Sequence, residues 1–435
     1  MSDPLLDDLL DWLRIPSIST GGGKPEDLQR AAQWACERID GAGGDAKLLI
    51  THGNPIAYGE FKAGAADAPT VLIYGHYDVQ SIGDPDAWRS DPFEPELRDG
   101  RLYARGASDD KGNFWPLLYA ACELHKAGEL PVNVRVAIEG EEEAAGVSIA
   151  EWLREDEGPA DCAIVFDSGM VDERTPAITL GLRGMVFASV TVRTGVRDLH
   201  SGMYGGSVLN AAHVLHRMLA NVLPGADGIP NADLRAGVAP PDPAELDSWK
   251  ALPPGDQVIS EVGGRPVSPD AGTRFYERNG ADTAVELNEF VSGEPRTIVP
   301  ATAKASVSVR LAPGQDSATV KATLERLLRQ DVPAGADVEI GFETGEPSLF
   351  DVNDPAIQLA AEGMRKATGM TPAFVRSGGS IPIVAEFAAK GIPTIVSGFG
   401  LPADDIHAPN ESYRVESLRM GETTAREMYR SLARL

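Results

Sequence analysis

The chain has 435 residues, 43% apolar and 24% charged, which is enough for at least one sizeable core and excludes global disorder. Its formal net charge of −26 repels nucleic acid and anionic membrane, so neither is expected as a partner. The start, Met1 to Asp8, lacks a basic segment and a continuous apolar run, so it does not read as a signal peptide, and no stretch is apolar for long enough to span a bilayer.

Apolar residues at helical spacing predict a helix over 5–13 and a second over 25–39. There Leu28, Ala31, Ala32, Ala35 and Ile39 form one stripe, ended by Gly41, Gly43 and Gly44. Val71 to Tyr74 reads as a buried strand, 113–127 as a helix, and 132–138 as a strand of period two. A helix over 148–154 and a buried strand over 162–166 follow. This alternation argues for an α/β sheet with parallel members. From about Gly184 the texture changes. Segment 186–192 alternates as a half-exposed strand, 207–219 reads as a helix, and 224–272 is rich in Pro and Gly. A strand over 304–311, a helix over 317–328 and a strand over 338–342 suggest a small α+β unit. Helices over 355–367, 382–389 and 416–432, with apolar 393–396, then resume the first pattern. The expected organisation is one α/β domain with a mixed, mainly parallel sheet, built from 1–183 and 347–435. An inserted α+β domain, 184–346, interrupts it. Cys36, Cys122 and Cys162 are odd in number and form no C-x-x-C pair. They read as small buried hydrophobes in a reducing compartment, and a cytoplasmic location is expected.

Chemistry-bearing residues gather at the ends of predicted strands. His76 and Asp78 follow the strand ending at Tyr74, Glu141, Glu142 and Glu143 follow the strand ending at Ile138, and Asp167 follows Phe166. Asp109 and Asp110 follow a short segment over 101–104 and precede a helix. Each alone has a bland reading: a strand-end Asp is commonly a cap or turn residue, and a run of Glu is commonly a solvated face. Together they fall at one edge, because open α/β sheets build sites outside the carboxyl ends of parallel strands. Carboxylates crowded there repel one another unless a cation sits among them. Mixed His and carboxylate donors suit zinc, with manganese or cobalt as alternatives.

Three motifs carry a resemblance: Gly75-His76-Tyr77-Asp78-Val79-Gln80, Gly106-Ala107-Ser108-Asp109-Asp110-Lys111-Gly112 and Glu139-Gly140-Glu141-Glu142-Glu143. In this order they resemble signatures of the zinc aminoacylase/carboxypeptidase clan, which includes carnosinases, succinyl-diaminopimelate desuccinylases and glutamate carboxypeptidases. Asp198-Leu199-His200-Ser201-Gly202-Met203-Tyr204-Gly205-Gly206-Ser207 and Gly378-Gly379-Ser380-Ile381-Pro382 are most similar to the carnosinase-like dipeptidases. The resemblance implies two divalent ions per subunit, with zinc the expected metal. His76 and Asp167 would hold one, Glu143 and His407 the other, and Asp109 would bridge them through a residue followed by a cis peptide bond. Asp78 would accept the second N–H of the His76 ring, and Glu142 would be the general base on a metal-bridging water. Arg310, Gly379 and Ser380, with Thr297, would hold the substrate carboxylate. The inserted domain would be a lid and dimerisation domain of a homodimer, and His200 would act across the interface. The register within Glu141-Glu142-Glu143 is set by aligning Glu139-Gly140, and His407 by the segment Asp405 to Glu411. His213 and His216 are expected at the surface or an interface.

The implied reaction is hydrolysis of dipeptides with a free C-terminal carboxylate. Alternatives are an N-acyl amino acid deacylase, a glutamate carboxypeptidase-type enzyme, and, from another class, a non-catalytic metal-dependent binding protein. The presence of Glu142 speaks against the last.

Overall fold

The computed structural model describes residues 3–379 and 381–435. The chain divides into two compact units. The first runs to Leu180 and includes Phe350–Val375 and Glu386–Leu435, and the second is Gly181–Leu349 with Arg376–Ala385. In chain order, the strands that matter begin with β1 (Asp45–Leu49), β2 (Ile56–Phe61), β3 (Thr70–His76), β4 (Asn133–Glu139) and β5 (Cys162–Phe166). They continue with β6 (Gly184–Arg193), β7 (Ala284–Ser292), β8 (Thr302–Leu311), β9 (Asp337–Gly345) and β10 (Thr394–Ser397).

In the first unit the order β1-β2-β4-β3-β5-β10 forms a mixed sheet. β4, β3, β5 and β10 run parallel, and β2 and β1 join antiparallel. β3 and β5 are buried along their whole lengths, which is why they read as continuous apolar runs rather than alternating ones. Helices Pro4–Leu13, Pro25–Gly41, Lys111–Lys126 and Val415–Leu432 contribute their apolar faces to one core with these strands. Trp12 and Trp34 stack there with centroids 4.8 Å apart, and Trp115 meets Trp34 edge-on at 5.1 Å. The buried Lys111 donates from Nζ to the carbonyls of Trp12 (3.2 Å) and Ile15 (2.9 Å), which closes the end of the first helix. All three cysteines are buried free thiols. The parallel arrangement brings the carboxyl ends of β3, β4, β5 and β10 to one edge. His76, the last residue of β3, lies opposite Glu139, the last of β4.

In the second unit the antiparallel order is β7-β8-β6-β9. β6 and β8 alternate buried and exposed positions, and their buried face packs on helices Ala211–Ala220 and Ser317–Arg329. Arg376 belongs to this unit. Its Nε and Nη2 bind Glu245 at 2.6 and 2.8 Å in a deeply buried ion pair, and its Nη1 donates to the half-buried Ala239 carbonyl at 3.0 Å. That pair anchors the Pro-rich stretch.

Three readings differ from what is found. Arg376–Ala385 groups with the second unit, although the expected α/β domain includes all of 347–435. The helix predicted from Ser207 begins at Ala211, because the Asn210 side chain caps it by accepting from the N–H groups of Ala212 and His213. β1, β2 and β7 were not anticipated. β1 and β7 are edge strands, and β7 is exposed at six consecutive positions, so no burial pattern marks it. No helix among the described residues is long and apolar enough to cross a membrane.

Candidate metal centre

His76 is fully buried at the end of β3. A side chain at Gly75 would collide with Phe114 at 2.4 Å and with the Asp110 carboxylate at 2.8 Å, so only glycine lets the strand end lie this close to the next loop. The ring's Nδ1 lies 3.0 Å from the main-chain oxygen of Asp78 and 3.4 Å from its carboxylate Oδ1. The backbone carbonyl thus takes the closer contact, where the resemblance implied the carboxylate. That carboxylate is fixed instead by Ser19 Oγ at 2.6 Å and the Glu143 N–H at 3.2 Å. With Nδ1 occupied, Nε2 faces Asp109 Oδ1 at 3.1 Å.

Asp109 sits in the turn between Arg101–Tyr103 and the Lys111–Lys126 helix, and its peptide bond to Asp110 is cis. Its second oxygen, Oδ2, lies 2.9 Å from His407 Nε2, which in turn lies 3.2 Å from Glu143 Oε2. His407 has φ +60°, a left-handed conformation uncommon for a non-glycine residue. Two triads result, His76-Asp109-Asp167 and Asp109-Glu143-His407, each with its donor atoms within 4.8 Å of one another and with Asp109 common to both. Ligands about 2.1 Å from a tetrahedral ion stand about 3.4 Å apart. The 3.1, 2.9 and 3.2 Å separations come close to that, so the residues present fit two ions of the zinc class.

The electrostatics of these residues point the same way. Burial pushes the Asp167 and Asp110 carboxyls well up; His76 opposes the shift at Asp167, and neighbouring carboxylates reinforce it. Burial also raises Glu142 to about 7, opposed by His76 and reinforced by Asp109 and Glu143. Burial alone would lower His76, but Asp109 and Asp78 override it and raise the imidazole well above its usual value. His407 is raised to about 10, chiefly by Asp109 and Glu143. So many carboxyls, stabilised only by protons and two imidazoliums, are a setting that divalent cations would relieve.

The three consecutive glutamates behave differently. Glu141 turns away: its Oε1 accepts from the Asn54 N–H at 2.7 Å and its Oε2 from the Ser148 N–H at 3.3 Å. Glu143 reaches His407 and also accepts from Gln80 Nε2 at 2.9 Å. Of the adjacent aspartates, Asp110 faces inward and accepts the His76 N–H at 3.2 Å, while Asp109 joins both triads.

The second unit carries the other residues singled out in the sequence. His200 is exposed and lies in a short ladder opposite Ile298. Its Nδ1 accepts from the Gly202 N–H at 3.1 Å, so in the neutral ring Nε2 carries the proton and is a donor. Thr297 is its neighbour, since the Ser201 N–H donates to the Thr297 carbonyl at 2.9 Å. Arg310 lies on the face of β8 opposite the helices. Gly379 donates its N–H to Ser377 Oγ at 3.1 Å, and Ser380 falls outside the described residues. His213 and His216 are exposed.

Sequence reasoning missed Arg183. It is buried, its Nε has no hydrogen-bond partner among the described residues, and a side chain at Gly378 would meet its Nη2 at 2.9 Å. Burial and the nearby Arg310 lower its pKa to about 10. It sits in an apolar run, Leu180 to Val186, where no local pattern distinguishes it. Gln80 and Glu411 were also missed as site residues. Both lie inside the quoted segments, where nothing local marks them as partners of Glu143 and Asp109.

Comparison with known proteins adds the following. The model of peptidase family M20/M25/M40 matches residues 72–431. The cysteinylglycine-S-conjugate dipeptidase of Corynebacterium striatum is 30% identical over 404 residues, covering 88% of this chain and 86% of that protein. The Beta-Ala-His dipeptidase of Mus musculus is 26% identical over 375 residues, 79% of this chain and 73% of that one. The crystal structure of an M20 family metallo-carboxypeptidase from Sulfolobus solfataricus superposes with a TM-score of 0.87 at 27% identity, covering 100% of both chains.

Proposed function

This chain belongs to peptidase family M20/M25/M40, and on that premise we propose that it hydrolyses dipeptides with a free C-terminal carboxylate at a centre of two divalent ions. It is a metallopeptidase acting on peptide bonds. The observation that carries the reading is the pair of His/carboxylate triads sharing Asp109. His76 and Asp167 would hold one ion, Glu143 and His407 the other, with Asp109 between them. Zinc suits this donor set, and manganese or cobalt is the alternative.

When bound, such a pair polarises a carbonyl oxygen and lowers the pKa of a shared water. Glu142, at about 7, is suited to take that water's proton at neutral pH and return it to the leaving amine. Asp78 and Gln80 hold His76 and Glu143 in place. His200, a donor through Nε2, would stabilise the oxyanion, a contact strongest in the transition state. Arg310, Gly379, Ser380 and Thr297 would bind the carboxylate, and Arg310 offers the planar fork that carboxylates match.

The second unit is proposed as the lid and dimerisation domain of a homodimer, with His200 serving the partner's substrate. Met203, Tyr204, Val208 and Leu209, which follow His200 in sequence, are all exposed, and edge strand β7 exposes Leu287, Phe290 and Val291. Such exposed apolar side chains suit an interface. Dipeptide substrates are favoured by the two dipeptidase relatives, and the three buried thiols suit a reducing cytoplasm. A C-terminal exopeptidase on longer peptides is the second reading, favoured by the carboxypeptidase neighbour. The test is a panel of Cys-Gly, β-Ala-His, tripeptides and N-acetyl amino acids, assayed after chelation and after return of zinc or manganese. Activity that survives chelation would overturn the metal reading. Preference for tripeptides would favour the second reading, and preference for N-acetyl amino acids would overturn both peptide readings.

A further inference from the structure

The loop that carries Asp109 wraps around one residue outside the metal triads. Glu411 is fully buried. Its Oε2 accepts from Arg105 Nη1 at 2.7 Å and the Gly106 N–H at 3.0 Å. Its Oε1 accepts from the Ser108 N–H at 2.9 Å and the Asp109 N–H at 3.0 Å. Its main-chain oxygen takes the Ala104 N–H at 3.2 Å. Three N–H groups of one short turn thus converge on a single carboxylate, an anion cradle that the chain fills with its own side chain. Gly106 has φ +83°, and a side chain there would meet Val79 at 2.6 Å, so the turn is built to present these groups.

Glu411 also ends the segment that carries His407. That segment is tied down by four further contacts. Asn410 accepts from the Arg89 N–H at 2.8 Å and donates to the Ala87 carbonyl at 2.8 Å. Asp404 accepts from Ser108 Oγ at 2.9 Å and is paired with Arg101. The residue four places after His407 therefore grips the backbone of Asp109 itself. Burying a carboxylate is costly without partners, and here all four donors lie within hydrogen-bond distance of its two oxygens.

We infer that Glu411 is a positioning residue of the metal centre: its carboxylate is the template that fixes the 105–109 turn, and with it the separation of Asp109 from His407. The role rests on the reading of Asp109 as the shared ligand. Glu411 touches neither ion nor substrate. It acts by holding the bridging carboxylate where both triads need it, so its loss lowers metal affinity before it lowers anything else specific to the site.

The test compares Glu411→Gln with Glu245→Gln in the full-length protein. Both changes neutralise a buried Arg-paired carboxylate, the second within the other unit. In Glu411→Gln one oxygen becomes an amide that cannot accept from the two N–H donors it faces. Metal affinity is read by titrating metal-free protein with zinc against a chromophoric chelator, and geometry by the visible absorption of bound cobalt. Glu411→Gln should bind zinc about 10–100-fold more weakly with an altered cobalt spectrum. Glu245→Gln should lose comparable thermal stability and keep wild-type affinity and spectrum. Glu411→Asp, which keeps the charge but withdraws both oxygens by one methylene, should show the same affinity loss. It replaces the Gln variant if that one does not fold. Wild-type affinity in a folded Glu411 variant would overturn the inference and leave the metal reading standing. A wild-type protein that binds no divalent ion would overturn both.

Discussion

Loading the centre with metal should expel protons, and the number can be worked from the site. In the metal-free protein His407 is raised to about 10 by Asp109 and Glu143, and His76 is raised well above its usual value. Both imidazoles are therefore protonated at pH 7, and both must be neutral to bind an ion. Burial also raises Asp167, which can hold a third proton. Binding a pair of ions at pH 7 should thus release at least about two protons, since metal ligands must be deprotonated. The sign follows: the protonated form dominates below the raised pKa values, so apparent affinity climbs with pH until those values are passed. With two protons displaced, the overall constant for the pair should rise about a hundredfold per pH unit between pH 6 and 8. The assay is calorimetric titration of metal-free enzyme with zinc in buffers of differing ionisation enthalpy. The slope of observed heat against that enthalpy counts the protons. A slope near zero would mean that His76 and His407 are already neutral, and would refute the account of how the carboxylates hold them.

Glu142→Gln should retain both ions and lose turnover by several orders of magnitude. Metal content by elemental analysis beside kcat checks this, and near-normal kcat would remove Glu142 as the base. Mixing and reassociating Glu142→Ala with His200→Ala should restore up to about a quarter of wild-type activity. Half of the random dimers are then mixed, and each has one complete site if His200 acts across a two-fold interface. No recovery despite exchange of subunits would place His200 in its own protomer's chemistry. Arg376→Met strands the buried Glu245 carboxylate and should cost about 3–5 kcal/mol in denaturant unfolding. A loss under about 1 kcal/mol would show that the pair is solvated after substitution.

The core of the site was legible because a parallel sheet converts strand ends into neighbours. Once β3, β4 and β5 are read as parallel, His76, the Glu triplet and Asp167 must share an edge, whatever the loops do. The choice between Asp109 and Asp110 was not legible from local chemistry. The two are adjacent and identical in type, and only the backbone path sends one into both triads and the other back onto the His76 N–H. Glu411 left no local signal either, since its donors are backbone groups some 300 residues away in sequence and backbone N–H groups have no letter. Arg183 was hidden by an apolar run. β7 was hidden for the opposite reason: with both faces exposed, an edge strand needs no alternation. The small α+β unit was recognised from its two alternating strands, β6 and β8, whose inner faces must meet the helices.

The Glu141-Glu142-Glu143 triplet has a consequence for reading substitution data. The letters are identical, but the tolerances should not be. Position 141 anchors the Asn54 and Ser148 backbone, so Gln there keeps one acceptor and the polypeptide should survive with its chemistry intact. Position 143 faces His407 and should reject every side chain that cannot bind a cation. Position 142 should accept Gln without unfolding and yet yield an inert protein. A saturation scan scored separately for abundance and for turnover would give the three neighbours three different profiles. A single-residue insertion or deletion in this segment should therefore abolish turnover even where it leaves three glutamates in a row.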